Sequence, residues 1–188
     1  VVAGTNLPYF PVWLDWRGLS PREIAFITAP PLFVRVLVTP VIAFAADRTG
    51  DHRRFLIALS WCGLAALVLL SQSTGFWPIL VCTLAFSLAC TTIMPLTETV
   101  ALSGVTVAGL DYGRMRLWGS ISFIAAAGLG GVMAARSGAE AVLYLLIGGM
   151  ALTAASSCLL PKPPPKPVSA AGPAGRGRAA VLMGDPAF

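Results

Sequence analysis

Three ionisable side chains stand where water is scarce, and the chemistry open to this chain rests on them. Arg35 lies near the middle of a long apolar run, between Pro30-Pro31 and Pro40. Glu98 closes a second run, in Thr97-Glu98-Thr99. Arg116 opens a third, in Asp111-Tyr112-Gly113-Arg114-Met115-Arg116-Leu117-Trp118-Gly119-Ser120. Arg116, Ser120 and Phe123 are spaced i, i+4 and i+7, which places them on one stripe of a helix. A charge, a hydroxyl and an aromatic ring on one face can hold a polar, partly flat small molecule. Simple packing of Phe123 against a neighbour would give the same spacing, and Glu98 and Arg116 lie close enough to their run ends to reach water. Arg35 is too deep to snorkel, so it is expected to face a cavity, where guanidinium binds carboxylate in a fork.

Other chemistries find no support in the residue pattern. The acidic residues are scattered singly and the one histidine, His52, sits in a basic loop, so neither a metal centre nor acid–base machinery is assembled. An integral-membrane enzyme is therefore disfavoured, and no cofactor or metal is expected. Cys62, Cys82, Cys90 and Cys158 all fall inside apolar runs without Cys-x-x-Cys spacing, and are expected to be small buried hydrophobes. The net charge of +5 is carried by short clusters between apolar runs, not by a basic face interleaved with aromatics, which argues against nucleic-acid binding.

The elements that position these residues follow from hydropathy. Hydrophobic residues make up 56% of the 188 and charged residues 11%, gathered in blocks long enough to cross a bilayer. Five spans are expected at about 24–46, 55–71, 76–97, 117–135 and 141–160. The run 1–14 reads as the second part of a truncated first span. The fold class is thus all-α membrane protein, a bundle of six transmembrane helices over residues 1–160. Beyond it, Pro161-Lys162-Pro163-Pro164-Pro165-Lys166-Pro167 opens a Pro-rich, basic segment, 161–188, expected as a cytoplasmic loop leading to a missing seventh helix. Loop charge sets orientation. Arg48, Arg53, Arg54, Arg114, Arg116, Lys162, Lys166, Arg176 and Arg178 fall on one side, against Arg17, Arg22 and Arg136 on the other. That bias puts the first side, and both chain ends, in the cytoplasm.

The loop Asp47-Arg48-Thr49-Gly50-Asp51-His52-Arg53-Arg54 resembles the signature between the second and third helices of the major facilitator superfamily, with Ala43 where that signature has its leading glycine. Leu7-Pro8-Tyr9-Phe10-Pro11-Val12-Trp13-Leu14 with Gly18-Leu19-Ser20, and the run from Asp111 to Ser120, resemble the phenylpropionate-permease-like branch. That branch is related to lactose permease and other oligosaccharide/proton symporters. The separation of Glu98 and Arg116 (116 − 98 = 18) is the one found in lactose permease.

The resemblance implies half of a twelve-helix fold whose partner is a missing C-terminal six-helix half, working by alternating access with protons as coupling ion. It implies substrate contact for Glu98, Arg116 and Phe123, with Ser120 on the same stripe. Asp47, Arg48, Gly50, Arg53 and Arg54 would form a cytoplasmic conformational latch. Phe123 stands where the sugar symporter has tryptophan, and Arg35 fits the phenylpropionate-like pattern. A small, aromatic organic acid is expected, in a bacterial inner membrane, with a sugar or nucleoside as the alternative. An inactive half-transporter is a further alternative. In a cysteine-free background, single cysteines at Ser73 or Ser137 should react with an impermeant thiol reagent added outside, and one at Thr49 should not. Labelling at Thr49 would reverse the orientation.

Overall fold

The computed structural model describes residues 2–49, 51–108 and 111–160, and among these there are helices and short turns but no strand. The helices are α1 (Val2–Trp16), α2 (Pro21–Thr28), α3 (Pro30–Thr49), α4 (His52–Gln72), α5 (Phe76–Ala108), α6 (Tyr112–Ser137) and α7 (Glu140–Leu159). Five segments are long and apolar enough to cross a membrane, and α2 and α3 together make one of them, Pro21–Ala46. This is the six-span bundle the hydropathy predicts, with α1 as its short first member. The expected segment 161–188 lies outside the described residues.

Local sequence sets the helix ends. Ser20 accepts from the Glu23 N–H while a Glu23 carboxylate oxygen accepts from the Ser20 N–H at 2.8 Å, a reciprocal cap with Pro21 at the first helical position. Asp51 and Asp111 cap α4 and α6 by accepting from the backbone N–H groups of Arg54 and Arg114. The turns after α1, α4 and α6 carry Gly18, Gly75 and Gly138 at φ near +80°, a conformation that glycine adopts without strain.

Three expectations need correcting. The second span is one stretch of bilayer length but not one helix. Pro30 and Pro31 lack the N–H groups that would bond the carbonyls of Phe26 and Ile27, so the chain breaks at Ala29 into α2 and α3. The fourth span does not end at Thr97, because α5 continues to Ala108 and keeps Glu98 within the helix. The cysteines are not all buried: Cys62 and Cys158 are exposed, and Cys82 and Cys90 are half-buried. All four lie in apolar helices, but only residues on the inward stripe are covered by neighbours.

The packing is uneven along the bundle. Phe10, Trp13 and Leu14 of α1 meet Ile27, Leu67, Leu70, Ile79, Phe86, Leu146 and Met150 in one core near the α1 and α4 C-termini. Arg17 closes that end, donating to the Ser71 carbonyl at 2.7 Å while lying 5.1 Å from the Trp13 ring centroid. At the opposite end the core shrinks to Ala46, Leu56 and Leu96. α4 packs closely on α5 and α7, and α1 on α6, whereas α5 and α6, although consecutive, scarcely touch.

The α1–α6 seam depends on absent side chains. A Cβ on Gly4 would lie 2.5 Å from the Phe123 carbonyl oxygen, and one on Gly130 would lie 2.8 Å from the Tyr9 ring. Such close backbone approach is how helices associate in lipid. Gly4→Ala should therefore cost about 1–3 kcal/mol through overpacking. Gly128, which faces open space, should accept alanine without loss. Thermal unfolding in detergent checks this, and equal effects would show that α1 is not seated on α6.

Candidate functional site

The gap between α5 and α6 holds the residues the sequence singled out. Glu98 reaches from α5 and Arg116 from α6, and the two form an ion pair across the gap. Their side chains are 42% and 58% exposed, so the pair is not part of the core. Ser120, one turn above Arg116, donates to the Arg116 carbonyl at 3.2 Å, which leaves its oxygen free to accept. Phe123 follows on the same stripe with 41% exposure.

α1 fixes the orientation of that stripe. The Tyr9 hydroxyl donates to the Ala127 carbonyl at 2.9 Å, and its ring lies in the notch left by Gly130 and Gly131. The contact is on the α6 face that carries Arg116, Ser120 and Phe123, farther along the helix. Rotation of α6 would expel the Tyr9 ring, so the seam and the stripe turn together. Sequence reasoning missed Tyr9, because a ring in a glycine notch is a relation between two helices that neither one displays alone.

Arg35 stands apart. It is exposed, and it has no hydrogen bond or ion pair among the described residues. Ala46 packs with Leu96 near the Glu98 level. Arg35 precedes Ala46 by 46 − 35 = 11 residues, or about 16 Å of helix rise. The structure thus pairs Glu98 with Arg116, which shares a stripe of α6 with Ser120 and Phe123, and leaves Arg35 apart, near the middle of its span. Around α3, Arg35 lies about 40° from the buried Pro31 and about 40° from Thr39, at roughly 100° per residue. Phe33, Pro40 and Phe44 project from the opposite side. Arg35 therefore leaves α3 along the flank of its packed stripe.

The latch residues divide. Arg53 donates to the Cys158 carbonyl at 2.9 Å, tying the start of α4 to the end of α7. Arg54 pairs with Asp51 at 2.8 Å, and Arg48 is exposed. The Asp47 side chain and Gly50 lie outside the described residues. Among the described residues no cluster of His, Cys, Asp or Glu could hold a metal ion.

Residues 1–168 match the MFS_1 like family. The chain belongs to that family of major facilitator transporters. It is 31% identical over 154 residues to a probable 3-phenylpropionic acid transporter of Escherichia coli (strain K12), covering 79% of this chain and 39% of that protein. A putative nucleoside transporter of the same organism is 28% identical over 164 residues, covering 82% and 38%. Maltose permease of Geobacillus stearothermophilus is 30% identical over 164 residues, covering 86% and 41%. No solved structure matches. The chain spans about two-fifths of the length of these relatives. All three are named as transporters or permeases, so the family to which this chain belongs is one of membrane transport proteins and not of enzymes.

If the Glu98–Arg116 pair borders a substrate path, its chemistry matters more for binding than for folding. Arg116→Lys keeps the charge but loses the planar fork. It should weaken substrate binding by about tenfold, the worth of a charge-assisted hydrogen bond, with an unchanged unfolding midpoint. A midpoint that falls while binding holds would make the pair a structural brace.

Proposed function

We propose that this chain is the N-terminal half of a proton-coupled secondary transporter for a small aromatic organic acid. In this reading two six-helix halves rock about a shared site near mid-membrane depth, opening it to each side in turn. The protein sits in a bacterial inner membrane with both ends of this half in the cytoplasm, in keeping with the loop charges. The observation that carries the substrate class is Arg35, a mid-span guanidinium without a partner among the described residues. Such a charge costs about 2.5–3.5 kcal/mol to place at the centre of a membrane, so a carboxylate that neutralises it there is held firmly. The 31% identity with a probable 3-phenylpropionic acid transporter supports the same reading.

Phe123 supplies a ring for stacking, and Glu98, Arg116 and Ser120 supply polar contacts toward the cytoplasmic end. Asp47, Arg48, Gly50, Arg53 and Arg54 act as the latch that ties helix ends at that face, and the Arg53–Cys158 bond is one such tie. By the resemblance to lactose permease, the residues that carry the coupling proton belong to the second half.

A second reading, a neutral sugar or nucleoside, draws on the Glu98–Arg116 pair. The two charges neutralise one another and offer both donors and acceptors to hydroxyl groups. Relatives described as a nucleoside transporter and a maltose permease accord with it.

One substitution separates the readings. In the complete two-half transporter, Arg35→Gln should weaken binding of 3-phenylpropionate by about 10- to 100-fold, the loss of a charged hydrogen bond. The corresponding neutral amide should bind the variant and the parent alike. Equal losses for acid and amide would give Arg35 a structural role only. A parent that transports sugars or nucleosides and ignores acids would favour the second reading.

A further inference from the structure

The α5 wall of the cleft carries an acceptor that none of the site residues named so far accounts for. Thr91 precedes Glu98 by 98 − 91 = 7 residues, and Phe123 follows Arg116 by 123 − 116 = 7. Two antiparallel helices joined at Glu98–Arg116 therefore bring Thr91 and Phe123 to one level, each about 10 Å from the pair. Seven residues are close to two turns, so Thr91 shares the cleft face of Glu98. Pro95 lies four residues beyond Thr91. Proline has no N–H, so the Thr91 carbonyl loses the donor a helix would ordinarily give it.

Hydroxyls elsewhere in α5 bond back to the backbone, but they pass this carbonyl by. Thr91 donates to Ser87 and Leu88, Thr92 to Leu88, Thr97 to Ile93 and Thr99 to Pro95. None of the described side chains donates to Thr91. The carbonyl of a helix in lipid needs a donor, and Pro95 cannot supply one to this residue on the Glu98 face of α5.

We propose that the Thr91 carbonyl, opened by Pro95, accepts a hydrogen bond from a hydroxyl or amino group on a ring stacked at Phe123. The inference rests on the aromatic-acid reading above and narrows it to ring-hydroxylated or ring-aminated acids. The depths are compatible with a carboxylate on Arg35. Counted from the Ala46–Leu96 contact, Arg35 is 11 residues and Thr91 is 5 residues toward the same face. The difference of 6 residues is about 9 Å of rise, the scale of one ring and a short acid chain.

The test is equilibrium binding of a matched pair, 3-phenylpropionate and 3-(4-hydroxyphenyl)propionate, to the complete transporter. The hydroxylated acid should bind about fivefold more tightly, the worth of one neutral hydrogen bond. Pro95→Ala returns an N–H to the Thr91 carbonyl and should abolish that preference while the plain acid stays within about twofold of the parent. Thr91→Val, which keeps the carbonyl and removes the hydroxyl, should retain the preference. A parent that binds both acids equally overturns the acceptor and leaves the acid reading standing. Loss of the preference in Thr91→Val, or its survival in Pro95→Ala, overturns the assignment to the carbonyl. Binding of neither acid overturns the acid reading, and the partner assigned to the carbonyl with it.

Discussion

In a bilayer a helix has to satisfy its own backbone polar groups, and the rest of this bundle is arranged around that requirement. Most hydroxyls in the apolar runs serve it. Thr28 donates to Ile24, Thr97 to Ile93, Thr153 to Gly149 and Ser156 to Leu152, each about one turn back along its own helix. Residues that look polar in sequence are thereby absorbed into the backbone of the span that carries them. What cannot be absorbed in this way stands out chemically: the charges of Arg35, Glu98 and Arg116, and the carbonyls left without donors by proline. Pro8 and Pro11 in α1, Pro40 in α3 and Pro95 in α5 each remove one helical bond. Such gaps are tolerated where the freed group faces protein or a wet cavity, and the same places are where a solute can be held.

Packing then divides the bundle into a firm end and an open end. The aromatic core around Trp13, Phe10 and Phe86, closed by the Arg17 bond to Ser71, holds α1, α4, α5 and α7 together near the α4–α5 turn. At the other end the small cluster of Ala46, Leu56 and Leu96 leaves α5 and α6 apart, and the Glu98–Arg116 pair spans the gap. An ion pair that is this exposed adds little to stability. The firm end therefore sets where the helices are, and the open end is free to respond to what enters. α6 belongs to both, because it is seated on α1 through Tyr9 and Gly130 while its Arg116 stripe reaches into the cleft.

The span pattern was legible because apolar blocks of bilayer length have few other uses. Boundaries were less so, for identifiable reasons. Glu98 reads as the end of a span because a lone acid in lipid is costly. In the structure Arg116 neutralises it, and α5 runs on through Val100, Ala101 and Leu102. The break at Ala29 was visible as Pro30-Pro31, but an apolar run on both sides hid its consequence. Of the site, the i, i+4, i+7 stripe of α6 was readable from spacing, and its pairing with Glu98 was placed by resemblance. The Tyr9 notch and the open face at Thr91 were not readable, since each depends on the register between helices. The cysteines erred for a related reason: hydropathy reports that a helix is apolar, not which of its faces other helices cover.

The separation of Arg35 from the Glu98–Arg116 pair constrains any account of the site. A rise of about 16 Å along α3 sets the two at different depths. The two charged centres are also unlike. Arg116 already has a carboxylate, so an incoming anion must compete with Glu98 for it, whereas Arg35 offers its full charge. In the proposed reading an anion is therefore held more firmly at Arg35 than at the Glu98–Arg116 pair. Because that pair bridges the two consecutive helices that pack least, parting it would loosen its own end of the bundle more than the end closed by Arg17. In the proposed reading, recognition at one depth and opening at another need no shared residue, because α6 runs between the two depths, held by α1 at one and by Glu98 at the other.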